Sequence, residues 1–158
     1  MIVKCYIDEH GFRRGEVSSP YELVGWFLEQ DVQGSLYHCQ LLFSEIEKVK
    51  TGVESEYSGT GNAHTITITR EQVVIENEYL IESEDCDISR ICEMPLLEFE
   101  QALTQWFEFI KVGQEELLEW VESELKKDDA EMTRMRESRI KRKLMESKKR
   151  RARKWLKG

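Results

Sequence analysis

No stretch of this 158-residue chain approaches the roughly 20 apolar residues that a membrane-crossing helix requires. The opening MIVKCYIDEHG contains neither the apolar core of a secretory signal nor an Arg-rich amphipathic presequence, so a cytoplasmic location is expected. The cysteines (Cys5, Cys39, Cys86 and Cys92) include no C-x-x-C pair and have no histidine at ligand spacing. Free thiols in a reducing compartment are expected of them. His10, His38 and His64 form no H-x-x-x-H pattern, which leaves zinc unsupported. G-x-S-x-G, a Cys/His arrangement of known spacing and the dinucleotide fingerprint are all missing. Paired carboxylates nominate nothing either, because with 28 acidic residues before position 131 some adjacency is guaranteed. No catalytic residue, metal or cofactor is therefore assigned, and the protein is expected not to be an enzyme.

What the chain does have is segregated charge. Residues 131–158 hold 13 of the 23 Lys and Arg but only 3 of the 31 Asp and Glu, a net of +10. Residues 1–130 keep 10 basic and 28 acidic residues, a net of −18. Such asymmetry informs on partners: an acidic body attracts basic proteins, and a basic tail attracts polyanions.

The pattern of apolar residues reads as α+β: an antiparallel sheet, made of a hairpin plus a meander, packed by helices. Ile2 to Ile7 and Phe12 to Val17 read as two strands joined by the turn residues Asp8-Glu9-His10-Gly11. Ser19-Pro20-Tyr21-Glu22 has the form of a capping box and opens a helix to about Gln30, with Leu23, Val24, Phe27 and Leu28 inward. Asp31 to Gly34 is expected to break it. A second helix is expected from Ser35 to Lys50, closed by Gly52. Strands follow at Val53–Tyr57, Ala63–Thr69 and Gln72–Tyr79, with strict alternation in His64-Thr65-Ile66-Thr67-Ile68-Thr69. Glu84 to Asp87 is an acidic loop, and Ile88 to Cys92 an edge strand. Pro95 then opens a long helix with the stripe Leu96, Phe99, Leu103, Trp106 and Ile110. The stripe resumes in phase after Gly113, favouring continuation or a kink. Residues 1–112 thus form an α+β domain, and 113–158 a helical extension that turns basic from about 131.

Two surfaces carry the functional expectation. Glu54, Glu56, Glu76, Glu78, Glu82, Glu84, Asp85 and Asp87 gather acidic charge on neighbouring strands and their loop, which suits docking of a basic protein. Lys148, Lys149, Arg150, Arg151, Arg153 and Lys154 can contact several phosphates, with Trp155 placed to stack on a base. Ser58-Gly59-Thr60-Gly61-Asn62 is read as a hairpin turn, since a strand and no helix N-terminus follows it. His64 is read as a core histidine. Membrane binding is not expected, for Ile140, Leu144 and Trp155 make no broad apolar face.

Asp8-x-x-Gly11, Glu22-x-Val24-Gly25-Trp26-Phe27, Gly61-Asn62-Ala63-His64-Thr65-Ile66, Val73-Val74-Ile75-Glu76-Asn77 and Leu97-x-Phe99…Trp106-x-x-Phe109-Ile110 together resemble the YacL-like small bacterial proteins. The likeness spans about residues 6–112 and extends more loosely to immunity proteins of contact-dependent and polymorphic toxin systems. It implies a non-enzymatic protein that neutralises a cognate toxin domain, often a basic nuclease, by forming a complex with it. The alternative is a nucleic-acid or ribosome-associated protein that binds RNA through residues 148–155. The YacL-like proteins have no counterpart of 113–158.

Overall fold

The computed structural model describes residues 1, 3–82 and 86–157. Ile2, Glu84 and Asp85, which the sequence places in the first strand and the acidic loop, lie outside the described residues. The chain divides into two compact units, Met1–Gly113 and Gln114–Gly158.

The first unit is α+β. A two-stranded antiparallel hairpin, β1 (Val3–Ile7) and β2 (Arg13–Val17), is closed by Asp8, whose Oδ1 accepts the N–H groups of His10 and Phe12 at 2.9 Å each. Gly11 sits in that turn at φ +82°, a conformation that costs glycine no Cβ clash. Helix α1 (Glu22–Phe27), a π-helical turn (Leu28–Val32) and α2 (Leu36–Thr51) follow. A four-stranded antiparallel meander is then built from β3 (Glu56–Thr60), β4 (His64–Thr69), β5 (Gln72–Asn77) and β6 (Ile91–Pro95). Helix α3 (Leu96–Lys157) begins in this unit.

The alternation of β4 does what the sequence suggests. His64, Ile66 and Ile68 are buried with Val73, Ile75, Cys92 and Met94 of the neighbouring strands, and the three threonines face outward. Against that inner face pack Leu23, Val24 and Phe27 of α1, Leu42 and Ile46 of α2, and Phe99, Leu103, Trp106 and Ile110 of α3. Each such side chain contributes about 1.5–3 kcal/mol on burial. Cys39 and Cys92 are buried free thiols, Cys5 and Cys86 half-buried ones. Burial pushes the Cys39 and Cys92 thiols up to about 11, nearby Glu22 and Glu93 adding to the rise at Cys92.

Several boundaries differ from the sequence reading. Ser19 caps nothing: the Ser18 carbonyl takes the Tyr21 N–H, that turn occupies 18–21, and α1 starts only at Glu22. Residues 31–32 continue in π geometry, closed by Gln33 N–H to Leu28 O at 2.7 Å. β3 begins at Glu56 because the Glu54 N–H is still bonded to Lys48 O at the end of α2. The last strand runs to Pro95, an edge position where a missing N–H is tolerated. Ser35 caps α2, its side chain accepting the His38 N–H at 3.0 Å, and Gly52 ends the helix at φ +79°, as the sequence suggests.

The hairpin meets α1 backbone to backbone. A Cβ on Gly25 would lie 2.1 Å from the Gly15 carbonyl oxygen, so only glycine lets β2 approach this closely. Gly25→Ala should therefore cost about 3 kcal/mol in urea unfolding. A loss below about 0.5 kcal/mol would show that the hairpin does not pack there in solution.

Candidate functional site

Inside the first unit the π turn delivers Asp31 to the sheet. Its Oδ2 meets His64 Nδ1 at 3.0 Å, and its Oδ1 accepts the Ala63 N–H at 2.8 Å. Both side chains are fully buried, at 0% exposure. Asn77 completes the chain with Nδ2 3.0 Å from His64 Nε2. The tautomer follows from geometry. Asn77 Oδ1 accepts the N–H groups of Tyr79 and Leu80, at 2.9 and 2.8 Å, so the amide nitrogen must face the ring. His64 Nε2 then accepts, and Nδ1–H donates to Asp31. Gly61 makes room for this, since a Cβ there would stand 2.8 Å from Asp31 Cγ. The network is buried, and its chemistry is positioning: it ties the helical layer to β4 and β5. His64 is thus a core histidine, as its sequence context suggests. Its carboxylate partner lies 33 residues away, and no local signal identifies it.

The acidic residues fall into two groups. Glu56 pairs in register with Thr69, and Glu76 with Thr65, at the other end of β4 about 13 Å along the strand. Glu54 lies near Glu56 and contacts Lys48 Nζ at 3.8 Å, its pKa raised chiefly through the adjacent Glu45 carboxyl. At the far end, Glu76 meets Arg90 at 3.3 Å, Glu82 accepts the Arg90 N–H at 3.0 Å, and Glu78 accepts from the Thr65 hydroxyl. Asp87 is exposed. Among the described residues no cluster of three or more His, Cys, Asp or Glu side chains has the arrangement to hold a metal ion.

The second unit is the remainder of α3. The helix continues through Gly113, which costs about 1 kcal/mol relative to alanine and is followed by no proline. From Leu125 to Leu156 every residue is exposed. Lys148, Lys149, Arg150, Arg151, Arg153 and Lys154 all lie on this helix, with Trp155 88% exposed. At about 100° per residue, the consecutive residues Lys148 to Arg151 point to four different sides. Among the described residues, the salt bridges found all lie before residue 128, leaving the cations of 131–156 outside them. No described helix is long and apolar enough to cross a membrane.

A family model described as an uncharacterised protein family (UPF0231) matches residues 6–110, and the chain belongs to that family. The span agrees with the likeness to YacL-like proteins read over 6–112. No curated protein and no solved structure matches the chain. Residues 111–158, with every cation of the tail, lie beyond the family match.

Asn77→Ala would leave His64 Nε2 and two backbone N–H groups without their partner. It should destabilise the first unit by about 2–4 kcal/mol in urea unfolding. An effect within about 0.5 kcal/mol would mean that water replaces the amide and that the network is not closed.

Proposed function

We propose that this member of the UPF0231 family binds nucleic acid through the basic half of α3. One observation carries the reading: a continuous helix over 131–157 displays 13 Lys and Arg around its whole circumference, all but Lys157 described as exposed. A membrane surface favours an amphipathic helix with one basic and one apolar side. A groove walled by two phosphate rows favours cations on every side, and the B-form major groove is wide enough to admit a helix. The contacts are to phosphate, so they position the helix without reading sequence. Trp155 supplies a stacking face where bases are unpaired.

Replacing Lys148, Lys149, Arg150, Arg151, Arg153 and Lys154 by glutamine in the full chain tests this. If each meets a phosphate, the slope of log affinity against log salt for a B-form duplex falls by about 5, at roughly 0.9 per contact. Structured RNA is measured in parallel. Wild-type protein without salt-dependent affinity for either polymer would overturn the proposal.

A second reading rests on the −18 charge of residues 1–130 and on the grouping of Glu76, Glu78 and Glu82 about one end of the sheet. In it the body docks a basic protein domain, as a toxin-neutralising immunity protein would, with charge steering the encounter. Co-expression with a toxin domain encoded beside its gene should then give a complex and protection. Neither appearing would dispose of this reading.

A further inference from the structure

Between the hairpin and the π-helical turn the first unit keeps an open cleft of about 510 Å³. One wall is the hairpin, with Phe12, Arg13 and Arg14, and the other is the chain leaving the turn, with Gln33 and Gly34. Glu29 joins the two, its Oε1 accepting the Gly15 N–H at 2.8 Å and its Oε2 lying 3.5 Å from Arg14. Both walls are fixed by the protein itself. Gln33 stands at φ +55° and ψ −138°, a conformation that a residue with a side chain rarely adopts. Three hydrogen bonds hold it: its N–H to Leu28 O at 2.7 Å, the Trp106 Nε1–H to its carbonyl at 2.8 Å, and its Nε2–H to Gln30 O at 2.8 Å. Such strain gathers where a fold positions groups for binding. Across the cleft the Arg14 Nε–H donates to Asp8 at 2.8 Å, and its guanidinium lies 5.8 Å from the centre of the Phe12 ring.

The two arginines differ in what they leave open. Arg14 is engaged by Asp8 and Glu29, whose side chains are only 15 and 13% exposed. Arg13 takes part in none of the ion pairs found among the described residues. Its guanidinium reaches across to Gly34, where a Cβ would stand 2.8 Å from Nη1. Phe12 is 61% exposed and offers ring surface in the same cleft. We infer that this cleft binds a planar aromatic carboxylate, its ring stacked on Phe12 and its carboxylate paired with the Arg13 guanidinium. Offset ring stacking and a two-pronged Arg–carboxylate contact are what these two side chains supply. One unpaired cation matches one negative charge. A phosphate monoester carries about −1.5 to −2 at neutral pH, and its excess would face Asp8, Glu29 and a body of net −18. Walls that already hold their shape lose little on ordering when a ligand enters. None of these groups belongs to the tail, so the inference does not depend on the nucleic-acid reading.

Amide NMR of the full chain, titrated separately with benzoate, cinnamate and naphthoate, tests the inference. At least one should shift the Arg13, Gln33 and Gly34 amides saturably, with a Kd below about 1 mM. Cinnamamide, which keeps the ring and lacks the charge, should bind about tenfold more weakly than cinnamate or worse. Arg13→Ala and Phe12→Ala, both at exposed positions, should each weaken binding by about tenfold. Gly34→Ala should weaken it as well, because the added methyl displaces the guanidinium. Lys4→Ala removes a cation of the same hairpin that does not line the cleft, and should leave binding unchanged. The spectrum of each variant reports its fold in the same experiment. No saturable shift with any of the three carboxylates would overturn the inference. So would binding that survives Arg13→Ala intact, or adenosine monophosphate binding more tightly than all three.

Discussion

How far along α3 apolar surface can be covered is the constraint on which the rest of the structure depends. Through Ile110 the stripe Leu96, Phe99, Leu103, Trp106 and Ile110 is buried at 0 to 4% exposure and closes the core over the sheet. From Val112 onward the large apolar side chains of the helix are exposed, and the charge changes sign within twenty residues. One secondary-structure element therefore serves two physical ends. Its first four turns are a folding element, held further by the Trp106 Nε1–H donated to Gln33 O at 2.8 Å. Its remainder buries nothing of its own, so its composition answers to partners.

The core elements were legible because they depend on local period. The β4 alternation and the α3 stripe each repeat a pattern that burial on one side requires. Asp31 was not legible. It sits where turn chemistry usually ends a helix, and its burial is tolerated only because Ala63 and His64, more than thirty residues away, satisfy the carboxylate. Register explains the acidic residues in the same way. Glu54, Glu56, Glu76 and Glu78 look like one face in sequence, yet antiparallel pairing carries the two sets to opposite ends of β4.

The tail presents the reverse case. Its charge was plain in the sequence and its helix was expected there, although the thinning apolar spacing after Lys126 leaves that helix little to bury. A continuous helix changes the argument, because it fixes where each cation points. Spread over all sides, they suit a groove of phosphates and not a flat surface. The acidic body and the family match both end before this segment's basic half, so the tail's role is separable from the body's.

Amide hydrogen exchange of the full chain, with and without a B-form duplex at low salt, tests the central claim most directly. The account predicts added protection across 131–157 and none in the sheet formed by β3 to β6, whose surface charge repels phosphate. Protection gained in the sheet with exchange unchanged in 131–157 would contradict it.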